Sequence, residues 1–228
     1  MAEATSSRGG TAAYRATDYL RRQIISGELS PGAPINQNDV AVALGVSRSP
    51  IRDAIAVLAG ERLVVTKAHT TAVVAPLGLD DLQELYELRM AVEPQLCRLA
   101  LPNLNRVTLM HMEEQLETME ETDDMFTWVE ANDRFHADMY RHADRPRMVG
   151  IVDRARQQTG RYTRLLITEL GTAESNEQHR RIHDAVVARD GPGLEAEVLD
   201  HLTSACDVIL KLLYEKGRKQ AAFTGTSS

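Results

Sequence analysis

At 228 residues with 43% hydrophobic content, the chain is long enough to bury a core, as one domain of about 200 residues or as two smaller ones. A net charge of −7 excludes a general polyanion coat, and the longest uncharged apolar run, TAVVAPLGL at 71–79, falls far short of the roughly 20 residues that cross a bilayer. The opening MAEATSSRGG lacks the apolar stretch of a secretory signal, so the expectation is a cytoplasmic protein with no membrane partner.

Charge divides the chain. Up to Pro76, eight Lys and Arg stand against six Asp and Glu, a balance of +2, and the remainder carries −9. A compact basic module on an acidic body can bind nucleic acid locally while the body stays soluble. The expected organisation is a flexible start over 1–10, a small domain over 11–76, a larger one over 77–216 and a flexible tail over 217–228. Cys97 and Cys206 sit far apart at helical apolar positions and read as core residues rather than as a disulfide.

In the first part the signals run helix, helix, helix, hairpin. Tyr14, Thr17, Leu20 and Ile24 recur at three and four residues before Gly27, and NQNDVAVALG starts at the cap Asn36 and stops at Gly45. In SRSPIRDAIAVL, Ser49 reads as N-cap, Pro50 as the first helical residue, and Ile51, Ile55 and Leu58 as the inner face. Arg48 and Arg52 then stand beside the free backbone N–H groups of a helix start, a place suited to phosphate and to guanine edges in a major groove. LVVTKAHTTAVVAP alternates into two short strands with a tip at 67–71. Two helices joined by a tight turn, the second with a basic start, form a helix-turn-helix, and the hairpin makes it winged.

The stretch LRRQIISGELSPGAPINQNDVAVALGVSRSPIRDAIAVL (20–58) resembles the N-terminal domain of the GntR family of bacterial transcription regulators. The resemblance implies that Ser47, Arg48, Ser49 and Arg52, with Pro50 between them, meet DNA, and that wing residues Lys67, His69 and Thr70 lie near the minor groove. Two departures stand out: Asn38 where the family often has arginine, and KAHTTA in place of a glycine-rich wing.

From Leu79 onward the pattern is all helix, over 80–100, 105–121, 126–143, 146–169, 174–190 and 193–216, with Pro94 inside the first. The expected fold class is therefore mainly α: an N-terminal winged helix-turn-helix domain followed by a C-terminal all-helical antiparallel bundle. Asn132 and His136 share a helical face, and His179 and His201 lie on two other helices; together they could close on one divalent metal, although a lone helical histidine is more often an ordinary core or surface group. The runs MEEQLETMEETDD and RARQQTGRYTR read as solvated faces.

LYELRMAVEPQLCRLA, NDRFHADMY and HRRIHDAVVARD resemble the ligand-binding FCD domain of the FadR subgroup, and six helices suggest its shorter, VanR-like branch. The resemblance implies Zn, Ni or another divalent ion held by an Asp and three His, positions that fall here on Asn132, His136, His179 and His201, with Asn132 a departure. It also implies an effector carboxylate bound by Arg89 near Tyr86 and Glu93, against the plainer reading of an i,i+4 ion pair Arg89–Glu93. The function expected is a ligand-responsive regulator, a repressor, binding an inverted-repeat operator as a homodimer. Two alternatives stay open: a helical metal-dependent enzyme with Asp133 or Glu93 as base, and an architectural DNA-binding protein with a structural metal.

Overall fold

The computed structural model describes residues 3–66, 71–76 and 78–224. The chain divides into two compact units, residues 1–77 and 78–228. In the first, α1 (Glu3–Ile25), α2 (Gln37–Leu44) and α3 (Arg48–Gly60) are followed by β1 (Val64–Val65) and β2 (Val73–Val74). The strands pair antiparallel, Val64 with Val74 and Val65 with Val73, and Pro34 bridges to Val73 from the segment before α2. Lys67, His69 and Thr70, expected on the wing, lie outside the described residues.

Leu20 and Ile24 of α1 meet Ile51, Ile55 and Leu58 of α3 in a core closed by Ile35, Val40 and Leu63. Tyr14 does not belong to it: the side chain is 73% exposed, and Ala16 and Thr17 turn inward instead. The unit is also tied at its surface, where Arg21 donates to both carboxylate oxygens of Glu61, at 2.7 and 3.0 Å.

The turn between α2 and α3 follows from two local choices. Asn36 accepts from the Asn38 N–H at 3.0 Å, capping α2. At the other end Gly45 takes φ +64° and its N–H turns back to the carbonyls of Ala41 and Val42. Helix α3 then starts earlier than expected, with Ser47 at the N-cap and Pro50 third in the helix rather than first. Pro50 is tolerated there because the first-turn N–H groups have no intrahelical partner, so the missing donor costs nothing at either register.

The second unit contains, among the described residues, α4 (Leu79–Ala100), α5 (Arg106–Glu121), α6 (Met125–Tyr140), α7 (Pro146–Leu170), α8 (Ala173–Val187) and α9 (Gly191–Thr224). The connections are short, with 3-10 turns at Leu101–Asn103 and Arg141–Ala143, and α6, α7 and α9 each pack on the helix before them. Helix α4 packs against α9, α7 and α6, while α5 packs against α6 and α8. Its start is held by Tyr162 of α7, whose hydroxyl accepts from the Gly78 N–H and donates to Asp81, each at 3.2 Å. Cys97 and Cys206 are buried and free.

Helix reaches into both end segments. Helix α1 already begins at Glu3, and α9 continues through the expected tail to Thr224. Gly217 lowers helix propensity by about 1 kcal/mol relative to Ala without removing a donor, so it weakens the helix and does not stop it.

Candidate DNA-reading surface and histidine cavity

On α3 the inner and outer faces separate cleanly. Ile51, Ala54, Ile55 and Leu58 are buried, and Ser47, Arg48, Ser49 and Arg52 are exposed, with Pro50 half-buried between them. The Ser47 side chain makes no capping bond. Arg48, Asn36, Gln37, Asn38 and Thr71 line one open cleft of about 570 Å³, so the start of α2, the start of α3 and the segment leading into β2 face a common space. Two guanidiniums beside the N–H groups of a helix start, with amides from a second helix, are groups of the kind that can meet a nucleic-acid backbone and guanine edges.

In the helical unit, α6, α8 and α9 bring His136, His179 and His201 together, with one ring nitrogen of each lying within 4.8 Å of the others. The side chains are 0%, 0% and 8% exposed. The rings are walled by Trp128, edge-on to His179 at 5.9 Å, and by Phe135, edge-on to His136 and His179 at 5.4 Å. Each outer nitrogen that is tied has an identifiable partner. His136 Nδ1 lies 3.1 Å from the Tyr140 hydroxyl, and His201 Nδ1 lies 2.8 Å from Gln178 Oε1.

Burial pushes all three imidazoles toward the neutral form: His179 falls to about 3, and His136 and His201 fall well below the usual histidine value. Arg156 adds to this in every case, and His179 adds to it for the other two. Neutral imidazole is the metal-binding form. The Nε2 atoms of His136 and His179 approach to 3.1 Å. Nitrogen–metal bonds of about 2.0–2.1 Å at tetrahedral angles separate two ligands by roughly 3.3 Å, so the donor set and its spacing fit a small divalent ion. Asn132, one turn before His136, is buried and lines the adjoining cavity.

That cavity has an interior volume of about 40 Å³ and is lined by Tyr86, Arg89, Asn132, His136, Arg156, Thr159 and His201, among others. Two arginines reach its wall, Arg156 paired with Asp133, which also lines it, and Arg89 paired with Glu93 behind it. Arg89 donates from Nε to Glu93 at 2.6 Å and from Nη1 to Thr159 at 3.2 Å, and lies over the Tyr86 ring at 4.9 Å. The plainer i,i+4 ion pair therefore exists, in a guanidinium that also faces the cavity. Glu93 does not line that space; the carboxylate is fully buried between Arg89 and Tyr140.

Arg156 was not legible in the sequence, where RARQQTGRYTR reads as a solvated face. Its side chain is only 9% exposed and pairs with Asp133 at 3.0 Å, while Arg161 is buried against Asp81. The signal was the stripe Val152, Ala155, Thr159, Tyr162, buried at helical spacing beneath the charges. Glu113 and Glu120 of the acidic run serve as partners for Arg180, and His183 is buried with Nδ1 3.2 Å from Glu113. Neither candidate base of the enzyme reading is free: Glu93 is the counter-ion of Arg89, and Asp133 that of Arg156.

A winged helix with a basic helix start and a bundle enclosing a histidine cavity with two arginines in its wall define a DNA-binding regulator with a small-molecule sensor. The chain belongs to the GntR family: residues 12–74 match bacterial regulatory proteins of the gntR family, and residues 84–204 match the FCD domain. It is 29% identical over 211 residues to a probable D-xylose utilization operon transcriptional repressor of Paenarthrobacter nicotinovorans, covering 89% of this chain and 91% of that one. It is 24% identical over 203 residues to the HTH-type transcriptional repressor RspR of Escherichia coli K12, covering 86% and 88%. Escherichia coli McbR/YncC shares its fold, with a TM-score of 0.79 at 21% identity over 89% of this chain and 98% of that one. Members of this family are transcription regulators, and no helix among the described residues is long and apolar enough to cross a membrane.

Proposed function

We propose that the protein is a cytoplasmic, homodimeric repressor of the shorter, VanR-like branch, which binds an inverted-repeat operator and answers to a small carboxylate at a divalent metal, Zn or Ni. One observation carries the reading: three buried neutral imidazoles from three helices converge beside a cavity that also presents Arg89 and Arg156. A divalent ion bound there supplies a Lewis-acidic centre for an anionic ligand. His136, His179 and His201 would hold it, with Asn132 adjoining. Arg89 and Arg156 orient the carboxylate, and Trp128 and Phe135 exclude water from the far side. With about 40 Å³ of interior, the site suits a short acid; a bulkier one requires the helices to part.

Repression is the role named for the Paenarthrobacter nicotinovorans relative and for RspR, and the dimer follows from recognition physics. One winged helix spans too few base pairs for specificity, and two copies related by a two-fold axis read an inverted repeat. Elemental analysis of protein purified without chelator or nickel resin, then calorimetric titration of zinc into the metal-free form, tests the metal. His179→Ala should weaken zinc binding by a factor on the order of 10 or more, and Asn132→Asp should tighten it by adding a negative ligand. Absence of bound metal, no titratable site and unchanged behaviour of His179→Ala would leave the cavity to Arg89 and Arg156 alone. Sedimentation showing a monomer both free and on operator DNA would overturn the dimer.

A further inference from the structure

The three histidines are joined to a buried polar chain that neither DNA reading nor carboxylate binding uses. It runs from Glu93 on α4 through the Tyr140 hydroxyl to His136 on α6. We infer that Glu93, acting through Tyr140, is a positioning residue that locks His136 in the Nδ1–H tautomer and so presents a bare Nε2 to the centre of the histidine cluster.

The number of protons along this chain fixes the tautomer. Glu93 is fully buried as the counter-ion of Arg89, 2.6 Å away, and a carboxylate only accepts. The Tyr140 hydroxyl has one proton and two neighbours, Glu93 Oε2 and His136 Nδ1. Its proton goes to the carboxylate, the stronger acceptor, in a charge-assisted bond. The remaining lone pair of the hydroxyl then faces His136 Nδ1 at 3.1 Å and can only accept from it. A neutral imidazole with its hydrogen on Nδ1 has none on Nε2. The protonation states agree with the burial, which raises Tyr140 well above the usual phenol value and lowers His136 well below that of histidine.

The 3.1 Å contact between His136 Nε2 and His179 Nε2 is then read in one direction. His136 is the acceptor, filled by a proton on His179 in the metal-free protein or by a cation that replaces it. Tyr140 lies one helical turn after His136, so the hydroxyl is delivered by the same helix as the imidazole it orients. Glu93 comes from α4, which makes the tautomer depend on packing between α4 and α6 rather than on either helix alone.

The functional consequence rests on the metal reading proposed above, whereas the tautomer belongs to the metal-free chain, and the test separates the two. Long-range proton–nitrogen correlation spectra of the imidazoles are recorded on metal-free wild type, Tyr140→Phe and Glu93→Gln, and zinc affinity is measured on the same samples. The inference expects a pure Nδ1–H signature for His136 in wild type and appearance of the Nε2–H form in Tyr140→Phe, with zinc affinity falling 10–100-fold at unchanged stoichiometry. Glu93→Gln leaves a weaker acceptor for the tyrosine proton and should fall between the two. An unchanged His136 tautomer in a folded Tyr140→Phe, or an Nε2–H form already present in wild type, would overturn the inference while leaving zinc binding intact. If wild type binds no zinc but the tautomer still switches in Tyr140→Phe, the metal reading fails and the positioning role of Glu93 stands.

Discussion

Arg48 and Arg52 stand one helical turn apart on the exposed face of α3, and the physics of their role differs from that of a third arginine in the same unit. Arg21 is bound by both oxygens of Glu61 and bridges α1 to the residue after α3, so its guanidinium is spent on the fold. Arg48 and Arg52 project into solvent beside first-turn N–H groups, where a charge contributes little to stability and much to an approaching polyanion. Arg48→Ala or Arg52→Ala should therefore cost about 1–3 kcal/mol of operator affinity with unchanged thermal stability. Arg21→Ala should show the reverse weighting, a lower melting temperature with operator affinity per folded molecule preserved. Fluorescence anisotropy on operator DNA, paired with thermal denaturation of the same samples, separates the two classes; full affinity in both α3 variants would remove them from the DNA surface.

At the scale of elements, the reading surface depends on how α3 is aimed, and that is set by one residue. Gly45 ends α2 at φ +64°, and a Cβ built there meets nothing within 4 Å. Crowding thus contributes nothing, and a substitution pays only for the left-handed backbone, about 1–2 kcal/mol for Ala and less for Asn, which visits that region readily. Urea unfolding should rank wild type above Gly45→Asn above Gly45→Ala, and equal stabilities would show that the turn relaxes to another geometry. The same turn explains how far the sequence could be read. The Asn36 cap and the Gly45 stop are local signals, so α2 was legible to the residue, as were α4 to α8 to within a few residues of their ends, whereas α9 runs eight residues past its expected end. The start of α3 was not, because Ser47 and Ser49 are both acceptable caps and a proline is harmless anywhere in a first turn. Tyr14 has helical spacing but points to solvent, since periodicity names a face and not its partner. For the cavity, His136, His179 and His201 were visible as residue types on three helices. Arg156 was hidden in a charge run, and the link from Tyr140 to Glu93 exists only once α4 packs against α6.

For the whole molecule, these buried histidines make stability a function of pH. Above the ordinary histidine value of 6.5, folded and unfolded chains both hold His179 neutral and no dependence arises from it. Below 6.5 the unfolded chain takes up a proton that the folded chain refuses until about 3, so stability falls steadily as pH drops through that window. Each such histidine removes about 1.4 kcal/mol per pH unit, and His179 alone accounts for roughly 2 kcal/mol between pH 6.5 and 5. His136 and His201 shift in the same direction and add to the slope. The molecule carries its own reporter, because its single tryptophan, Trp128, is buried edge-on to His179 at 5.9 Å. Urea unfolding of metal-free protein followed by Trp128 fluorescence should show the midpoint falling from pH 7 to pH 5. His179→Gln should flatten that dependence, because its side chain does not titrate in this range. Saturating zinc should raise the midpoint by a similar amount at pH 7 and pH 5 and leave the slope unchanged, since the folded imidazoles are already deprotonated over this interval and the metal displaces no proton from them. A midpoint constant from pH 7 to 5 would mean that the cluster takes up protons without unfolding, which a dry site walled by Trp128 and Phe135 does not permit.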